Sequence, residues 1–254
     1  VLRYYLRFGP HPLPNDGSVP PVTWEGARYV EQAILVGTPS AGSVLSLKQL
    51  VEGTNYAALI TPTYRPAVLG TMPAIFQLLP RTRHGAVVDD ATGENIDVLD
   101  PAVWERYGWG LADPGQDGVL RQLLPEVRSA SERREIALDH LRKTLSRTKQ
   151  LFEALDAPAT PPVGLELFLI AGDARPTPTV LGVRPDGSLR IREVGPGDNT
   201  VARYSALMDE RMGGAYRPRL RSPIDFESVL FLSSDHIGLT KDPLFSNWVL
   251  YQLL

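Results

Sequence analysis

The sequence predicts an α/β protein, with parallel-sheet segments toward both ends of the chain and a mainly helical block between them. Three observations point there. Residues 30–36 end in a continuous apolar run, and 164–172 and 227–232 are further strand-like runs, as expected where strands are covered on both faces. Residues 55–162 show no β–α alternation and contain the clearest helix in the chain. After the last sheet segments, loops carry first an acid, Asp198, and then a histidine, His236.

Taken in order, the chain opens in a helical turn. Val1, Tyr5 and Phe8 fall on one face, and Gly9-Pro10 stops the helix. No N-cap residue precedes it, so residue 1 reads as a cut through a longer protein. Prolines 10, 12, 14, 20 and 21 make a stiff loop before the strand at 30–36. Gly37-Thr38-Pro39-Ser40-Ala41-Gly42-Ser43 turns the chain into a helix over 44–52, with Ser43 as its N-cap and Gly53 as its stop.

In the middle block, Pro66 to Leu79 carries a broken apolar face and 84–118 is loop-rich; of the two readings of its Trp104, Tyr107 and Trp109, lining for an acyl or acceptor site and filling of a small cap's core, the second is preferred. Ser129-Ala130-Ser131-Glu132 is a capping box. Leu138, Leu141, Leu145, Thr148, Phe152 and Leu155 follow at three- and four-residue steps, while Arg133, Arg134, Arg142, Lys143, Arg147 and Lys149 form the solvated face. Past the Pro-rich exit at 157–162, strands at 164–172, 179–183, 189–194 and 227–232 are expected, the middle two as a hairpin around Pro185-Asp186-Gly187. Asp242-Pro243 starts a final helix through Leu244, Trp248 and Tyr251. The domain expectation is a core of 1–54 and 163–254 carrying an inserted cap of 55–162.

Composition removes several function classes. The net charge of −3 gives no basic face for nucleic acid. The absence of cysteine rules out disulfides, thiolate catalysis and cysteine metal sites. His11, His84, His140 and His236 lie far apart without metal-ligand spacing, so neither a metal nor a cofactor is expected. No apolar run reaches the roughly 18 residues of a membrane span.

What remains is acid–base chemistry. A carboxylate holds an imidazole in one tautomer and stabilises the imidazolium, while the imidazole takes a proton from a nucleophile. Asp198, in Gly197-Asp198-Asn199-Thr200-Val201, is the expected acid, and His236, in Ser233-Ser234-Asp235-His236-Ile237-Gly238-Leu239, the expected base. Asp173, directly after the strand at 164–172, is the rival acid; Asp235, beside the histidine in sequence, is expected to point elsewhere. Ser40 lies between a strand and a helix, as an elbow serine would. Its motif, however, has Thr38 where the first glycine of the elbow belongs, and a structural role is the preferred reading.

Arg3-Tyr4-Tyr5-Leu6, the motif from Gly37 to Ser43, Gln77-Leu78-Leu79-Pro80, Ile170-Ala171-Gly172, Gly197 to Val201 and His236-Ile237-Gly238-Leu239 together resemble the lecithin:cholesterol acyltransferase-like family of α/β-hydrolases. The resemblance implies an α/β-hydrolase fold, here only the C-terminal part of its sheet, with a mainly helical cap. It also implies a Ser-Asp-His triad made of Asp198, His236 and a serine in a G-H-S-x-G-G elbow just before Val1. The expected function is therefore the C-terminal part of a serine acyl hydrolase or O-acyltransferase acting on a small-molecule ester or lipid-like substrate, the N-terminal half of the protein being its missing partner. The alternatives are a non-catalytic binding module of the same fold and an intact hydrolase using Ser40. Lacking cysteine, the chain also departs from the secreted animal members, whose cap carries a disulfide.

Overall fold

The computed structural model describes residues 1–55, 63–211 and 222–254. In chain order its main elements are α1 (Leu2–Phe8), β1 (Gln32–Val36), α2 (Val44–Glu52), α3 (Pro66–Gly70), α4 (Pro73–Phe76), β2 (Val87–Asp89), α5 (Pro101–Tyr107), α6 (Asp117–Leu123) and α7 (Ala130–Asp156). They continue with β3 (Glu166–Gly172), β4 (Arg175–Val183), β5 (Leu189–Gly197), α8 (Arg203–Leu207), β6 (Ser228–Leu232) and α9 (Pro243–Leu253). The described residues are thus mixed α/β, with two three-stranded sheets among them, ordered β1-β3-β6 and β2-β4-β5. It divides into two compact units, one of 1–43, 150–179 and 193–254, the other of 44–149 and 180–192.

The first unit holds the sheet that positions the site. β1, β3 and β6 are parallel, in the registers Val36↔Ile170 and Gly172↔Leu232, so their C-terminal ends lie along one edge. β3 is central, and six of its seven residues are buried. Its side chains alternate between two cores. Leu169 and Ala171 meet Ala206 of α8 on one face, and Ile170 clusters with Phe245, Trp248 and Val249 of α9 on the other. Phe168 meets the Trp248 ring edge-on at 5.4 Å. This double coverage is why the segment reads as an uninterrupted apolar run rather than an alternating one.

α1 departs from its expected face. Leu6, Arg7 and Phe8 are buried, whereas Val1 is fully exposed. Arg3 and Arg7 explain the shift, because both turn toward the C-terminal end of α7. Arg3 Nη2 donates to Leu155 O at 2.9 Å, and Arg7 Nη2 donates to Ala157 O. Two cations thus satisfy carbonyls at the negative end of a helix dipole. In α9 the packed residues are Phe245, Trp248 and Val249, whereas Leu244 and Tyr251 are exposed.

In the second unit Trp104 and Trp109 are wholly buried, their rings edge-to-face at 5.8 Å. Each indole finds an acceptor: Trp104 Nε1 donates to Val98 O at 2.8 Å and Trp109 Nε1 to Gly187 O at 2.7 Å. Both therefore fill a core, the preferred of the two readings. Two expectations are corrected here. Residues 84–118 contain a strand, β2, which pairs in parallel with β4 through Val87↔Leu181 and Asp89↔Val183. Three residues are too few to show a period. Arg133, placed on the solvated face of the long helix, is buried and grips Asp117 through Nε and Nη2 at 2.8 Å each. The helix start itself follows the capping signal, with Ser129 Oγ accepting from the Glu132 amide at 3.4 Å. No helix among the described residues is long and apolar enough to cross a membrane.

Candidate active site

Asp198 and His236 lie 38 residues apart in sequence and meet at the C-terminal edge of the β1-β3-β6 sheet. Asp198 leaves the end of β5 in a tight turn. Its Oδ1 accepts from the amides of Thr200 at 3.0 Å and Val201 at 2.6 Å, while Asn199 takes φ 73°, a left-handed conformation that asparagine tolerates. The carboxylate is 1% exposed. Its other oxygen, Oδ2, accepts from His236 Nδ1 at 2.8 Å. The two residues are also joined through their backbones, the His236 amide donating to Asp198 O at 2.9 Å.

This geometry fixes the state of the imidazole. An ionised carboxylate only accepts, so the proton sits on Nδ1 and the lone pair of the neutral ring sits on Nε2. Nε2 has no hydrogen-bond partner among the described residues, and the His236 side chain is 36% exposed. The hydrogen bond to Asp198 raises the pKa of His236 above the ordinary histidine value; partial burial opposes it, and the charges of Asp198 and Asp235 add to the rise. The result is an oriented imidazole whose Nε2 is open.

The other residues singled out by sequence lie elsewhere. Asp173 pairs with Arg203 at 3.7 Å and makes no bond to His236. Asp235 closes the histidine loop on itself, its Oδ1 accepting from the Gly238 amide at 2.7 Å. Ser40 is buried, and its hydroxyl finds no hydrogen-bond partner among the described residues, His236 included. His11 pairs with exposed Glu25, and His140 lies 3.4 Å from the Thr144 hydroxyl. No acidic or histidine cluster among the described residues could hold a metal ion.

Three supports of the site escaped the sequence reading. Thr177, wholly buried in β4, accepts from the Asn199 amide at 2.8 Å and donates to Arg175 O at 3.0 Å, pinning the acid turn. Gly172 ends β3 where a Cβ would stand 2.6 Å from Asp198 Cβ and 3.0 Å from Ser234 O. Asp242 caps α9 through the Leu244 amide and, with its second oxygen, accepts from the Ser234 hydroxyl at 2.8 Å, tying the histidine loop to that helix. Only the Asp-Pro signal of the last was visible beforehand; the other two are contacts between distant segments.

Compared with protein-family models and with curated proteins, the chain matches none.

Proposed function

We propose that Asp198 and His236 are the acid and base of a serine acyl-transfer triad, in a protein of α/β-hydrolase type whose nucleophilic serine is carried by sequence preceding Val1. The observation that supports this reading is the 2.8 Å bond from His236 Nδ1 to a buried carboxylate, with Nε2 left open. A structural ion pair would not need one ring nitrogen held unpaired at a strand-end edge. The motif resemblance supplies the substrate class, an ester with a lipid-like acyl group.

The chemistry is that of a two-step transfer. Nε2 takes the proton of the serine hydroxyl as its oxygen adds to the ester carbonyl, placing negative charge on the carbonyl oxygen. Collapse of that adduct breaks the ester C–O bond, and the leaving alkoxide receives the proton back from Nε2, giving an acyl-serine and an alcohol. Water or a second alcohol then repeats the steps and frees the serine. Asp198 remains ionised throughout and stabilises the imidazolium.

The second reading is a binding module that keeps the couple without using it. It draws on the absence, among the described residues, of any serine hydroxyl bonded to His236. Ester hydrolysis by the protein extended upstream of Val1 separates the two. The catalytic reading expects turnover that falls by about 10⁴-fold in Asp198→Asn and at least as far in His236→Ala. Turnover indifferent to both substitutions overturns it.

A further inference from the structure

The geometry points to Gly37 as a positioning residue for His236: its missing side chain is the space in which the imidazole's Asp198-facing edge lies. This builds on the catalytic reading of the couple.

Gly37 follows β1, the strand that pairs with β3, and its amide donates to Ile170 O at 2.8 Å. Its backbone is therefore held to the central strand. A Cβ built on it would stand 3.1 Å from both Nδ1 and Cε1 of His236, and 2.9 Å from Leu239 Cδ1. The leucine methyl is the end of a flexible side chain and can swing away. The ring has less choice. Nδ1 is already bonded at 2.8 Å to a carboxylate whose other oxygen is held by two amides, and the His236 backbone is tied to Asp198 O. Movement of the ring by a few tenths of an ångström therefore comes at the cost of the Nδ1–Oδ2 bond. Gly37 also sits at φ 56°, so two separate requirements select glycine here, a left-handed backbone and the absence of a Cβ under the ring.

These requirements can be separated. Gly17 has φ 82° and nothing within 4 Å of a built Cβ, so Gly17→Ala carries the conformational strain without a contact. The test is proton–nitrogen NMR of the histidine rings in the 254-residue chain, which reads the His236 Nδ1–H resonance and its titration. We expect Gly37→Ala to lose the downfield Nδ1–H signal of a carboxylate-bound imidazole and to move the His236 midpoint back toward the ordinary histidine value, with Gly17→Ala changing neither.

A second measurement covers the case in which Gly37→Ala folds but is too unstable for the NMR titration. The thermal midpoints of Gly37→Ala in the native and His236→Ala backgrounds form a double-mutant cycle. If the imidazole is what the methyl meets, removing it relieves most of the loss. A folded Gly37→Ala protein with the His236 resonance and midpoint unchanged would overturn the inference; so would a loss of stability that is the same with and without the ring. Neither measurement depends on turnover. Failure of the catalytic reading would instead appear as an intact, Gly37-dependent couple in a protein that hydrolyses no ester.

Discussion

At the level of single residues, the Asp198 carboxylate has a divided task. One oxygen is saturated by the Thr200 and Val201 amides, and the other faces His236. An asparagine at 198 would keep its carbonyl oxygen on the two amides and turn its NH₂ toward Nδ1. That selects the opposite tautomer and places the ring proton on Nε2, where a base needs a lone pair. The His236 midpoint in Asp198→Asn should fall, since its largest upward influence is the bond to Asp198. NMR titration reads this directly, and a midpoint that does not fall would show that the bond is not the cause. The same shift links folding to pH. Because the folded-state value lies above the unfolded one, the contribution of His236 to stability is complete below the unfolded value, 6.5, and is lost as pH rises through the raised folded value. Denaturation midpoints of the native chain should therefore decline across that window relative to Asp198→Asn. In the proposed enzyme, the acid limb of kcat/KM should sit above 6.5 and move down in the same variant.

At the level of elements, the site is built by strand ends and by the loops that follow them. Asp242 serves both α9 and the histidine loop, so Asp242→Ala should cost about 1 kcal/mol for the lost cap. It should also quicken amide exchange in residues 233–238, and Ser234→Ala should do the same with the cap intact; exchange left unchanged in Ser234→Ala would contradict the tie through Ser234. Elements were legible in sequence where one local signal decides them. The apolar run of β3, the Ser129 cap of α7 and the Asp-Pro start of α9 are of that kind. Asp198 and His236 could be paired beforehand because each follows a sheet segment in a Gly-containing loop. Elements were illegible where long-range pairing decides. β2 is three residues recruited by β4, the buried face of α1 is set by arginines reaching the end of α7, and Arg133 is drawn inward by Asp117. Thr177 looks like an ordinary strand threonine until the Asn199 amide is seen on its hydroxyl. The spaces at Gly37 and Gly172 are invisible to any local pattern, being defined by His236, 199 residues away, and by Asp198, 26 residues away.

At the level of the whole molecule, two compact units make separate demands on sequence. The unit of 44–149 and 180–192 depends on its paired tryptophans: Trp109→Ala removes a fully buried ring and its bond to Gly187 O, and should cost about 3–5 kcal/mol in chemical denaturation. The unit of 1–43, 150–179 and 193–254 holds Asp198, His236 and every support described for them. In the proposed enzyme it is completed by a serine that approaches Nε2, a role this reading does not give to Ser40, which is buried with no hydrogen-bond partner for its hydroxyl among the described residues. The most direct test is fluorophosphonate labelling of the protein extended upstream of Val1, with the adduct located by mass spectrometry. The account predicts a single labelled serine preceding Val1, with labelling greatly reduced by His236→Ala and unaffected by Ser40→Ala; an adduct on Ser40, or labelling that persists without His236, would contradict it.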